Sequence, residues 1–143
     1  MQAAGNDYIY VFGDENPNAN YPLLSKKLCD RRFGVGADGI IAVFRDKTKK
    51  CDFFMRIFNA DGSEGKTCGN GLRCSAAFMR IIGKTTKDIV TIRTTSACHQ
   101  VTLSPSGKGF FARADFPLPK IAPISKIADN ALKNLFKKND GAA

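Results

Sequence analysis

The sequence predicts an α+β domain in which a mixed, mostly antiparallel sheet curls around one central buried helix. Three observations predict it. Short runs rich in aromatic and β-branched residues recur with turn signals between them. One segment, "LRCSAAFMRIIG", is apolar over nearly its whole circumference, the mark of a helix buried on every side. Most of the remaining elements are strands, so a sheet is what surrounds this helix.

Taken in order, "YIYVF" from Tyr8 reads as a strand that ends at Gly13, followed by a loop containing Pro17. "NYPLLSKKLCDRRFG" predicts a helix with Pro22 at its first position, apolar Leu24, Leu28 and Cys29, late arginines and a stop at Gly34. "IIAVF" from Ile40 and "CDFFMRIFN" from Cys51 read as strands, and the charged loop between them suits a hairpin. The greasy helix spans 72–82 and Gly83 ends it. Three more strands follow, "IVTIRT" from Ile89, "HQVTLS" from His99 and "GFFARADF" from Gly109, with Pro105 to Lys108 as the last hairpin turn. Finally, "SKIADNALKNLFKKND" aligns Ile127, Ala131, Leu132, Leu135 and Phe136 on one face of an amphipathic helix. The expected organisation is one domain over 1–117 and an amphipathic tail, or the start of a linker, over 118–143.

With 143 residues and 43% hydrophobic content, the chain can bury an ordinary core. No apolar stretch approaches the ~20 residues of a membrane helix, and the first residues lack a basic-then-apolar leader. A soluble cytoplasmic protein with no membrane partner is expected. Five cysteines form an odd set with no C-x-x-C pair, which predicts reduced thiols and neither a disulfide framework nor a zinc ribbon. The net charge of +9 is spread over loops and helix ends with no basic stripe among aromatics, so no nucleic-acid partner is expected. An acidic remainder of a longer chain would also explain the excess.

The chemistry concentrates in "NADGSEGKTCGNGLRC", residues 59–74. Cys68 stands before Gly69, Asn70 and Gly71 and the start of the buried helix, close to unpaired N–H groups and the positive helix end. Such a position favours thiolate over thiol, and turns an inert cysteine into a base or nucleophile. The same N–H groups can hold a carboxylate, the glycines admit a ligand close to the backbone, and Asn70 both donates and accepts. Free cysteine is also among the most buried residue types, and packing is the role expected for Cys29, Cys51 and Cys74 within their apolar segments. Cys98 and His99 are neighbours on one strand and point to opposite faces, so they form no dyad, and His99 is expected at the surface or half-buried. A rival lies in "ADGSEGKT", residues 60–67, a relaxed phosphate-loop pattern that would make a nucleotide binder. Against it, Asp61 and Glu64 would face phosphates, and glycines interrupt the helix that should begin at the lysine.

"GNDYIYV" at Gly5, "RRFGVGADGII" at Arg31, "FNADGSEGKTCGNGLRC" at Phe58 and "IVTIRTTSA" at Ile89 together resemble, in order and spacing, the N-terminal half of diaminopimelate epimerase. The resemblance implies a diaminopimelate-epimerase-like fold and a cofactor-independent isomerase of lysine and peptidoglycan-precursor synthesis. In that chemistry one thiolate removes the α-proton and a second thiol delivers a proton to the opposite face. It implies Cys68 as the catalytic residue, with Asn6, Asn59, Gly69 and Asn70 as contacts for the amino-acid substrate, and no metal. Gly39 departs from the pattern, since many members carry glutamine there. The family's second domain, with the partner cysteine, has no counterpart in this sequence. The expectation is therefore half of an enzyme, inactive alone, whose partner is that missing domain or a second copy in a homodimer. A racemase for another amino acid, a nucleotide binder and a basic interaction module remain as alternatives.

Overall fold

Eight strands form one sheet in a computed structural model that describes residues 1–107 and 109–116. They are β1 (Gln2–Ala3), β2 (Asn6–Phe12), β3 (Gly39–Arg45), β4 (Phe53–Asn59), β5 (Glu64–Gly65), β6 (Ile89–Arg93), β7 (Cys98–Ser106) and β8 (Gly109–Ala114). Their order across the sheet is β1-β2-β3-β4-β6-β7-β8, with β5 beside the second half of β4. β2 with β3 and β4 with β6 are parallel pairs, and the rest are antiparallel. The mixed, mostly antiparallel sheet is thus as the sequence predicts.

The α2 helix, Gly69–Ile81, lies in the curl of this sheet, packed against β1, β2, β3, β6, β7 and β8. Leu72, Ala76 and Met79 are fully buried against Ile41, Val43, Met55 and Val101. Burying such side chains contributes roughly 1.5–3 kcal/mol each for the larger ones, which is what holds a helix this apolar in the middle. The sheet's other face carries α1, Tyr21–Leu28, over Ile40, Ala42 and Phe58. β3 is therefore covered on both sides, and its run "GIIAVF" is apolar without alternation. No helix among the described residues is long and apolar enough to cross a membrane.

Four differences from expectation have local causes. α1 stops at Leu28 rather than Gly34, because the Asp30 carboxylate accepts from the N–H groups of Arg32 and Phe33 and bends the chain into turns. Pro105 belongs to β7, where it pairs with Phe110, and not to the turn expected to begin there. The charged loop after β3 is not simply solvated, since the Asp46 side chain is buried at its centre. His99 is buried too, at 4% exposure. The amphipathic segment expected over 118–143 lies outside the described residues.

The expectation of five reduced thiols is corrected as well: Cys51, buried, and Cys98, exposed, are paired as a disulfide between the starts of β4 and β7, while Cys29, Cys68 and Cys74 are free. Their Cα atoms are 6.7 Å apart across 47 residues of sequence, a proximity created by the sheet and invisible in spacing. Alkylation of the denatured chain should accordingly label three cysteines without reductant and five after reduction. Intact mass measures both counts, and five labels without reductant would refute the pairing.

Candidate active site

Cys68 is itself the N-cap of α2: its backbone is extended (φ −148°, ψ 117°) and its Sγ accepts from Gly71 N–H at 3.3 Å. A side chain at position 71 would put its Cβ 2.8 Å from Ile41 Cδ1 and 3.3 Å from Cys68 Cβ, so glycine is what lets the backbone amide come this near the sulfur. Leu72 N–H bonds to Cys68 O. That leaves the N–H groups of Gly69 and Asn70 as the free donors of the first turn among the described residues. The sulfur is half-buried and stands against the core rather than sealed inside it.

The second neighbour of the thiol arrives from β2. Asn6 Oδ1 accepts from Cys68 Sγ at 3.7 Å, across 62 residues of sequence. The Asn6 amide is fixed from behind, where its Nδ2 donates to Asp38 Oδ2 at 2.7 Å. Asp38 Oδ2 also accepts from Asp7 N–H, and its Oδ1 pairs with Arg31 at 3.0 Å. Arg31 bridges to Asp7 at 2.7 Å, and its guanidinium holds the Asp7 carboxyl below the usual carboxylate range. Tyr8, on the same strand, has its phenol pushed up by burial, with the adjacent Cys68 adding to the effect.

Asn59 ends β4 at the same end of the sheet, facing Gly39, which in turn faces Tyr8 across β3 and β2. Its side-chain amide donates to Ser63 Oγ, so it is engaged with the turn rather than with Cys68. Asn70 Oδ1 accepts from Arg73 Nη2, which leaves the Asn70 NH2 for another acceptor and brings a guanidinium beside the first turn of α2. Of the predicted residues, then, Cys68, Asn6, Gly69 and Asn70 form one cluster, and Asn59 sits at the same sheet end. Sequence reasoning missed Asp38, Arg31, Tyr8 and Arg73. Arg31 and Asp38 stand in "RRFGVGADGII", but nothing in their spacing says that they meet Asn6.

The rival phosphate-loop reading does not survive the geometry of residues 59–67. Gly62 N–H bonds Asn59 O, Asn59 N–H bonds Ser63 O, and Asp61 Oδ1 takes Ser63 N–H at 2.8 Å and Ser63 Oγ at 2.6 Å, a tight turn that leads into β5. Lys66 lies between β5 and α2, not at a helix start, and its carbonyl is held by Thr95 Oγ1 at 3.0 Å. The turn depends on Gly62, at φ +83°, where an added Cβ would lie 2.8 Å from Pro22 O. Gly62→Ala is expected to destabilise the chain by about 1–3 kcal/mol, the cost of a left-handed residue with a side chain plus a backbone clash. The urea midpoint is the measurement, and an unshifted midpoint would refute it.

The sequence matches the family described as diaminopimelate epimerase over residues 1–111. The diaminopimelate epimerase of Halothermothrix orenii is 47% identical over 94 residues, 66% of this chain and 33% of the relative. That of Acetivibrio thermocellus is 35% identical over 138 residues, 96% of this chain and 48% of the relative. The chain thus spans a third to a half of the length of these relatives. Among solved structures, a PhzF-family phenazine biosynthesis protein of Bacillus anthracis superposes with TM-score 0.59 at 22% identity, covering 78% of this chain and 35% of that one. The structure of a predicted epimerase from Pseudomonas aeruginosa gives 0.60 at 19% identity, covering 78% and 37%. At these identities the two structures speak for the fold alone.

Proposed function

The chain belongs to the diaminopimelate epimerase family, and from that premise we propose that it is the N-terminal half of a cofactor-independent epimerase whose Cys68 moves the α-proton on one face of diaminopimelate. The observation that carries the reading is the position of the sulfur: half-buried, at the N-cap of a buried helix, between an amide N–H and a side-chain amide. The α-proton of an amino acid is weakly acidic, and the charge left by its removal spreads onto the carboxylate. Donors fixed where that charge develops lower the barrier most. The free N–H groups of Gly69 and Asn70, with the helix dipole behind them, are such donors for the substrate carboxylate. Asn6 and Asn59 serve the remaining polar groups.

One thiol serves one face, so the proton on the other face comes from a second cysteine outside this sequence, and the chain alone is inactive. Closure by the second half would exclude water and strengthen every interaction at the sulfur. Mixing the chain with the C-terminal half of a family enzyme in D2O should start deuterium uptake at the α-carbon of diaminopimelate. A mixture that forms a complex yet exchanges nothing overturns the proposal.

A second reading, a racemase for another amino acid, rests on position 39. A Cβ there would lie 2.3 Å from Phe58 O and 2.8 Å from Tyr8 Cε1, so this backbone leaves no room for a side chain at position 39. Exchange with a panel of amino acids in the same mixture separates the two readings.

A further inference from the structure

We propose that Asp38 is a positioning residue that acts on Cys68 through Asn6, by fixing which end of the Asn6 amide faces the sulfur. It rests on the reading of Cys68 as the proton-transfer thiol. An amide side chain has two unlike ends, an NH2 that only donates and a carbonyl that only accepts. A carboxylate only accepts. With Asp38 Oδ2 2.7 Å from Asn6 Nδ2, the NH2 end is committed to Asp38, and the carbonyl end must point the other way. The other way is Cys68 Sγ, 3.7 Å from Asn6 Oδ1. The sulfur is therefore offered an acceptor for its S–H by Asn6 and a donor by Gly71 N–H.

The carboxylate is held in turn so that it cannot swing away. Asp7 N–H donates to the same Oδ2 at 3.0 Å, Arg31 pairs with the other oxygen at 3.0 Å, and Asp38 N–H and C=O bond to Asp7 O and Ala60 N–H. Three segments distant in sequence thus converge behind one side-chain amide: the start of β2, the turn after α1 and the loop after β4. A purely structural ion pair between Arg31 and Asp38 would need none of this. Both groups are well exposed, with side-chain exposures of 58% and 39%, and a surface pair of that kind contributes little to stability. What the arrangement does supply is a definite polarity at Cys68.

The consequence is read at the sulfur, without substrate or second domain. In Asp38→Ala the Asn6 amide is released, and its NH2 end can turn to the sulfur and favour thiolate. Iodoacetamide alkylation of Cys68 at pH 7, followed by peptide mass spectrometry, should then quicken about threefold to tenfold, the effect of one modest hydrogen bond. In Asn6→Ala the Asp38→Ala change should add nothing, because the residue through which it acts is gone. The folded chain should also show a downfield proton of the Asn6 side-chain amide in a 1H–15N spectrum, lost in Asp38→Ala while the backbone spectrum persists. An unchanged or slower alkylation rate in Asp38→Ala, an equal effect with and without Asn6, or an Asn6 amide signal indifferent to Asp38 overturns the proposal. If alkylation behaves as stated but the mixed halves exchange no deuterium, it is the epimerase reading that fails, and this one stands.

Discussion

Replacing Cys68 by alanine should lower deuterium exchange at the substrate α-carbon by about 10²- to 10⁴-fold in the mixture of this chain with the C-terminal half of a family enzyme, the range for losing a positioned acid–base group. The loss cannot be put down to unfolding. Cys68 is the N-cap of α2, but a single thiol cap contributes under about 1 kcal/mol, while the helix is held by Leu72, Ala76 and Met79 in the core. Cys68→Ser is expected to fall nearly as far. Serine keeps the cap, yet its hydroxyl does not ionise near neutrality, so the two variants separate the role of the side chain in the helix from its role as an acid. Deuterium uptake by mass spectrometry and a thermal melt of each variant make the measurement. Exchange within tenfold of the parent in either variant would remove Cys68 from the chemistry.

The second large effect is expected at Asp46. Its carboxylate is buried and accepts from Arg93 Nη2 at 2.9 Å and Nε at 3.1 Å, from Thr48 Oγ1 at 2.7 Å and from the N–H groups of Thr48 and Cys51. Arg93 is the main cause, and the Thr48 and Cys51 donors further causes, that hold this carboxyl well below the usual carboxylate range against the opposing effect of burial. Asp46→Asn should destabilise the chain by about 2–3 kcal/mol at pH 7, less than for a fully buried pair because the Arg93 side chain is 29% exposed. In a chain of this size that is about 10 °C in melting temperature. The pH dependence has a definite sign. Because the folded value is depressed, the stabilisation is complete above the unfolded carboxyl pKa of ~3.9 and is lost as pH falls below it toward the folded value. The parent and Asp46→Asn should therefore differ most at pH 7 and draw steadily together as pH falls below about 4. Urea unfolding across that interval tests it, and parallel stability curves would show that the carboxylate charge is not what matters.

Much of this was legible in the sequence because it is local. The apolar circumference of α2, the β-branched strands and the glycines around Cys68 follow from neighbours a few residues apart, and each lies where the pattern places it. The N-cap role of Cys68 was half legible: the glycines announce a helix start, but only the folded structure shows the sulfur accepting from Gly71. What escaped is non-local or competitive. The end of α1 was lost to Asp30, whose side chain offers nearby N–H groups a partner outside the helix. Asp46 looked like one charge among many in "RDKTKK", because its burial depends on Arg93, 47 residues away. The Cys51–Cys98 pairing and the buried His99 likewise depend on where β7 lies beside β6, and no spacing rule encodes that.

The meeting of Asn6 with Cys68 has a bearing on how the protein matures. β2 can join the sheet only by parallel alignment with β3, which needs the whole α1 crossover in place, and Cys68 follows two strands and a hairpin later. Contacts that close such long loops are slow to form. The Cys68 sulfur thus gains its side-chain amide neighbour only when β2 and the start of α2 both hold their places in the sheet, so its surroundings depend on the whole domain and not on the local turn alone.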